Sequence, residues 1–192
     1  MVMIFRAVAI ICGLVFSISP AFSAESDGST ITVSDSLKDT EILLAKILKD
    51  RLKVNGTLTI RGDNSEDLVL QIRFNGNAEM NLPEINAVID TRIVGRDKDG
   101  KAISQVISIA SSANLKFSPD RNLDQLTWVN KWNSRTVPLI LYVQNDRIVA
   151  SYKLLITTQE PMTAGQFALN FTNVVRSWPA LIKDLQSSGL VE

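Results

Sequence analysis

The sequence predicts an α+β fold, an antiparallel β-sheet with helices packed on it, in the order helix, strands, helix, hairpin, helix. Three observations carry that prediction. Apolar residues recur at three-and-four spacing near both ends of the chain, at Leu37, Leu44, Ile47, Leu48 and Leu52 and again from Phe167 to Leu185. Between these stretches apolar residues alternate with polar ones, at Leu68, Leu70, Ile72 and Phe74 and then at Ile85, Ala87, Ile89 and Ile93. Tight turn sequences, Asp99-Gly100 and Asn145-Asp146, join neighbouring alternating runs, which makes those runs antiparallel.

The first helix starts at Ser36, whose side chain is placed to cap the backbone of Asp39, and it should stop between Lys53 and Gly56, with Asn55-Gly56 supplying the positive-φ residues. Leu58 and Ile60 then alternate with Thr57, Thr59 and Arg61. A turn over Gly62 to Asp67 leads to a partner strand ending at Phe74. A loop runs to Pro83. A longer strand follows, turns at Asp97-Lys98-Asp99-Gly100 and returns through Ile103, Ile107 and Ile109, with Leu115 and Phe117 as an extension or a short extra strand. The alternating carboxylates of that turn resemble the start of a calcium loop. Such a loop needs ligands over about a dozen residues closing on a glutamate, whereas Lys101, Ala102 and Ile103 come next. A hairpin turn is the reading, and no metal site is assigned.

Pro119 and Asp120 open the second helix, with Leu126, Trp128, Val129 and Trp132 on one broad side and Asn133 as a left-handed cap. In the hairpin that follows, Leu139, Leu141 and Val143 face the same way as Ile148, Ala150, Tyr152, Leu154 and Ile156. Its opposite side, with Ile140, Tyr142, Val149 and Leu155, is also apolar, so the sheet should be covered on both faces, by helices or by another subunit. The closing helix has a complete start signal: Thr163 as cap, Gln166 as its reciprocal partner, and Met162 with Phe167 as the hydrophobic staple. Pro179 lacks an N–H and should kink or split this helix near Trp178.

The N-terminal residues belong to a different category. Arg6 is the only charge before Glu25, Ala7 to Ile18 is continuously apolar, and small residues follow, which is the plan of a secretory signal peptide over 1–23. Cleavage after Ser23 puts Ala21 and Ser23 at the small-residue positions, whereas cleavage after Ala24 would put Phe22 at one of them. The expected location is periplasmic, with secretion as the alternative. The sole cysteine, Cys12, lies inside the leader and too far from its end to carry a lipid, so the mature chain has neither thiol nor disulfide. Charge is balanced at 20 basic against 20 acidic residues without long runs of one sign, which gives no grip on nucleic acid or an anionic membrane.

Leu126-Thr127-Trp128-Val129-Asn130-Lys131-Trp132-Asn133, the strand ending in Tyr152-Lys153-Leu154 and the long closing helix resemble the YbjN family over residues 120–185. Leu37 to Phe117 match that family in order rather than in residues, and the segment between Phe74 and Ile85 and the long strands after it look like an elaboration. The resemblance implies a fold similar to the small chaperones of type III secretion, and a non-catalytic, chaperone-like or sensory transduction regulator role. It implies one YbjN-like domain over residues 35–186; the polar stretch before it, with Gly28, reads as a flexible lead-in over 24–34, and the residues after it as a fraying tail over 187–192.

The residues agree with a non-catalytic reading. The chain has no histidine and the mature chain no cysteine, which removes the commonest general base, metal ligand and thiol nucleophile. Glu41, Asp63, Glu66, Asp67, Asp90, Asp124, Asp146 and Glu160 fall at expected surface, turn or cap positions, without a phosphate loop or nucleophile motif. No catalytic, cofactor or metal residues are assigned. The expected activity is binding of another protein, or of a second copy as a homodimer, with Trp128, Trp132, Tyr142 and Trp178 as candidate aromatic anchors. The alternatives are a small apolar ligand or lipid between sheet and closing helix, and a carboxylate-based hydrolase.

Overall fold

The computed structural model describes residues 29–191, apart from 81, 116, 118–120 and 135–138. The expected signal peptide and the expected helix opening at Pro119 and Asp120 lie outside the described residues. In chain order the elements are β1 (Thr30–Ile31), α1 (Leu37–Leu52), β2 (Thr57–Arg61), β3 (Asn64–Phe74), β4 (Ile85–Arg96), β5 (Ala102–Ala113), α2 (Asn122–Asn133), β6 (Ile140–Gln144), β7 (Arg147–Thr157), β8 (Met162–Thr163), α3 (Ala164–Arg176) and α4 (Trp178–Ser187). A 3₁₀ turn at Ala78–Met80 sits in the loop between β3 and β4. The architecture is the predicted one, an antiparallel six-stranded sheet in the order β2-β3-β4-β5-β7-β6 with helices on it.

Alternation fixes which side chains meet the helices. The row Ile72, Ala87, Ser111, Ala150 and Leu141 crosses five strands in register on the inner face. Leu70, Ile89 and Ile109 form the next row. The apolar members of these rows form one buried cluster with Leu44, Ile47 and Leu48 of α1, Phe167, Phe171 and Val174 of α3, and Trp178, Leu181, Ile182 and Leu185 of α4. Gly56 is required there because a Cβ would come within 2.5 Å of Leu70 and 2.9 Å of Ile72.

Two described segments that the sequence reads as flexible, 29–34 and 187–191, carry regular structure. Within the expected flexible lead-in, Thr30 and Ile31 pair with Thr163 and Met162, and the Ile31 side chain is buried. An apolar residue in a polar segment found a strand partner too far along the chain for local patterning to reveal. In the expected fraying tail, Gly189 takes φ 64°, Gly189 N–H donates to Gln186 O and Leu190 N–H to Leu185 O. That is a Schellman cap on α4. It turns Leu190 and Val191 into the core, where Val191 bridges to Phe117.

Local signals decide most element ends. Ser36 Oγ accepts from Asp39 N–H at 3.1 Å, and both halves of the Thr163–Gln166 capping box are present. Lys53 rather than Asn55-Gly56 takes the left-handed position that stops α1, with Val54 N–H donating to Leu48 O. The turn expected over Gly62 to Asp67 is tighter: Arg61 pairs with Asn64, and an irregularity then shifts the register so that Ile60 meets Leu68. Asn145 and Asp146 both have positive φ, the type I′ turn the sequence called for. At the Asp97 turn, one carboxylate oxygen accepts from the backbone of Asp99 and Lys101 at 2.9 Å each, so it organises a hairpin. Pro179 stands in the first turn of α4 and the helix is divided at Ser177, as expected of a residue without an N–H.

α2 departs from its prediction in one face. Gln125, Trp128 and Val129 are buried and Leu126 is 48% exposed. Spacing sets the stripe, and a glutamine occupies the place that hydrophobicity alone would not give it. Asn133 is the last helical residue instead of a left-handed cap; Ser134 follows in a right-handed conformation.

Candidate functional site

Adjacent residues of a strand face opposite ways, so every inner row of the sheet has an outer counterpart. On β4, β5, β7 and β6 the outer rows are Asn86, Ser112, Val149 and Tyr142, then Val88, Ala110, Ser151 and Ile140. Asp90, Ser108 and Lys153 follow, then Arg92, Val106 and Leu155. Small side chains on β5 and on the middle of β7 make a floor; larger ones rise from both sides. The result is an open trough of about 930 Å³, whose described lining comes from strands and the β6–β7 turn and from no helix.

The trough is apolar in its large exposed residues and basic in its charges. Of its lining Val88, Val94 and Tyr142 are exposed, and beside it on the same face stand Ile140, 56% exposed, and Leu155, 63% exposed. Arg61 binds Asp90 at 2.5 Å and Arg92 binds it at 3.2 Å, so two guanidinium groups share one carboxylate. The bond to Asp90 holds Arg61 above its ordinary pKa, and partial burial pushes the Tyr142 phenol above its own.

The four expected anchors do not converge. Trp178 is fully buried beneath the sheet, with its Nε1–H donating to Ser111 Oγ at 2.8 Å, so it is a core residue that no partner can touch. Trp128 is buried between α2 and α4, its Nε1–H donating to Asp184 Oδ2 at 2.6 Å. Trp132 is half-buried and stacks on Trp128 with ring centres 5.4 Å apart. Tyr142 alone stands in the trough. An indole on an amphipathic helix reads the same in sequence whether its neighbour is the protein's own sheet or another chain.

Two residues with a structural task were not visible in the sequence. Asn133 bonds both backbone groups of Leu141, donating to its carbonyl and accepting from its N–H at 2.8 Å each. It mimics a neighbouring strand and seals part of the exposed edge of β6. Glu41, expected at the surface, is fully buried on the inner face of α1. Its Oε1 accepts from Thr91 N–H and Thr91 Oγ1–H at 3.0 Å each, while Oε2 has no partner among the described residues. Burial pushes its pKa up to about 7; the two Thr91 bonds oppose that rise, and the charges of Asp90 and Asp67 add to it. A glutamate five residues after a helix cap looks solvent-facing unless one knows that Thr91 waits opposite.

A carboxylate pair for hydrolysis is not assembled from these two acids. Thr91, which holds Glu41, points inward, whereas Asp90 points outward to its two arginines. A second cleft, of about 580 Å³, opens between the end of α1, the β3–β4 loop and α3. Phe74, Leu82, Phe171 and Val175 supply its apolar walls and Arg176 lies at its side.

The class defined by this arrangement is an α+β protein with helices on one face of an antiparallel sheet and an open trough on the other. Among solved structures the chain is similar to YbjN from E. coli, described as a candidate transcription regulator, with 16% identity and a TM-score of 0.50. The match covers 85% of this chain and 99% of that one. The chain therefore has a YbjN-like fold. The match extends beyond residues 120–185. No protein-family model matches the chain, and no curated protein matches it in sequence. No helix among the described residues is long and apolar enough to cross a membrane.

Proposed function

We propose that this chain is an exported, non-catalytic protein-binding module of YbjN type, a periplasmic chaperone-like or regulatory factor that receives its partner on the outer face of the sheet. The observation that supports this most directly is the uncovered face itself. Ile140, Tyr142 and Leu155 stand exposed on strands whose opposite side packs against the helices, and large apolar side chains exposed together on one face mark a contact surface. The signal-peptide pattern of residues 1–23 supports export.

The test begins with export. Protein recovered from the periplasm should begin at Ala24, and retention of the leader in a cytoplasmic pool would defeat that half of the reading. Light scattering during size exclusion, then crosslinking in cell-envelope extract, addresses the rest. A protein partner whose crosslinks map to Val149 or Leu155 supports the reading, and crosslinks confined to the helical side overturn it. A second reading, binding of a small apolar ligand, is favoured by the cleft walled by Phe74 and Phe171. A lipid copurifying with the exported protein, and lost when Val175 is enlarged to Trp, would support it.

A further inference from the structure

We infer that the outer trough takes an amphipathic helix whose polar side is acidic. This names the partner class for the protein-binding reading above and rests on it. The chain as a whole is neutral, with 20 basic and 20 acidic residues, yet the trough lining contains Arg61, Arg92, Arg147 and Lys153 against the single carboxylate of Asp90. Asp90 is already shared between two arginines. Arg147 and Lys153 make no ion pair with any described carboxylate, and they flank the β7 side of the floor. A local surplus of positive charge on a neutral molecule steers and orients an acidic partner rather than serving solubility.

Shape and edges select a helix. Four strands at the usual spacing span roughly 14 Å, and a helix with side chains is about 10 Å across, so one helix fits over the small residues of β5 between two raised sides. Strand addition at the neighbouring edge is obstructed, because Asn133 occupies both outward backbone groups of Leu141. An apolar stripe would meet Val88, Val106, Val149 and Leu155, while flanking glutamates would reach Arg92 on one side and Arg147 and Lys153 on the other. Single-stranded nucleic acid is disfavoured by a floor that offers one aromatic ring, Tyr142. A flat lipid surface is disfavoured by the recess.

The probes are two fluorescein-labelled helical peptides with the same leucine stripe, one with glutamate and one with lysine on the polar side. Vesicles of phosphatidylglycerol and a single-stranded oligonucleotide serve as further ligands. The mature protein should bind the glutamate peptide at least about tenfold more tightly than the lysine peptide. The double variant Arg147→Glu/Lys153→Glu should lose that preference, with unchanged thermal stability confirming that it folds. Equal binding of the two peptides overturns the inference, as does binding of vesicles or oligonucleotide without the glutamate peptide. Benzoylphenylalanine at Val149 separates the two levels in cells. Protein adducts that vanish in the double variant support the acidic helix. Adducts indifferent to it retain protein binding and reject the acidic helix, and no adducts at Val149 reject both.

Discussion

The two faces of the six-stranded sheet are made by alternate residues of the same strands, yet one is a core and the other an open trough. Inward, Ile72, Ile89, Ile109 and Leu141 meet α1, α3 and α4. Outward, Ser108, Ala110, Ser112 and Ser151 leave a floor too low to fill, edged by arginines and a lysine. Strand register alone separates the two, because a slip of one residue would exchange the faces. Stability and recognition therefore reside on different sides of one sheet, and substitutions should divide accordingly.

The sharpest break should come from Trp178→Ala. The indole is fully buried and its N–H is satisfied by Ser111, so truncation leaves a cavity and an unpaired hydroxyl at a cost of about 3–5 kcal/mol. Urea unfolding of that variant beside Trp132→Ala, whose ring is only half-buried on Trp128, should show the smaller loss for Trp132. Equal losses would mean that α2 is as deeply embedded as α4.

Next in size is the pH dependence from Glu41. Its carboxyl sits near 7 in the folded chain against 4.5 when solvated, chiefly because burial disfavours the charge. The folded state thus holds the proton more tightly than the unfolded state. The contribution is fully present below pH 4.5 and is lost as the pH rises through 7. At roughly 1.4 kcal/mol per pH unit, the swing is on the order of 3 kcal/mol. Glu41→Gln keeps an acceptor for Thr91 and cannot ionise. Its urea midpoint should be flat between pH 5 and pH 8 where the parent's declines, and a variant that declines in parallel would assign the effect to other groups.

These two residues also mark how far the sequence can be read. The Trp178 neighbourhood was legible as a core stripe because spacing at Phe171, Val174, Val175, Trp178 and Leu181 is a local property. The capping box at Thr163, the Asn145-Asp146 turn and the break at Pro179 were legible for the same reason. Glu41 and Asn133 were not, since each is defined by a partner that local sequence does not reveal: Thr91 lies 50 residues away along the chain, and Leu141 becomes an edge residue only once β7 has paired with β6. The buried ends at Ile31 and Val191 were missed likewise, for they dock on elements far along the chain. Of the candidate site, the apolar outer side of the hairpin was visible as alternation; the basic sides were not, because Arg92 and Lys153 come together only through the register of β4, β5 and β7.

A smaller effect should follow from Asn133→Ala. Two hydrogen bonds to Leu141 would be lost, at a cost of about 1–3 kcal/mol. The larger consequence is on specificity: an exposed strand edge pairs with other edges, so the variant should self-associate at concentrations where the parent does not. Sedimentation velocity checks this, and an unchanged distribution would show that the edge is guarded by something other than that amide.

The smallest effect on stability, and the most informative about the division between faces, belongs to Leu155→Ser. Leu155 is 63% exposed on the outer side of β7, so the polar replacement gives up little burial and should stay within about 0.5 kcal/mol of the parent. Its neighbour on the same strand, Ile156, is fully buried, and Ile156→Ser should be costly because it strands a hydroxyl in the core. If both variants unfold alike, the outer face is structural and the trough is incidental. If Leu155→Ser keeps the parent's thermal midpoint but loses capture of the glutamate peptide, the exposed leucine serves recognition, and one strand carries both properties on adjacent residues.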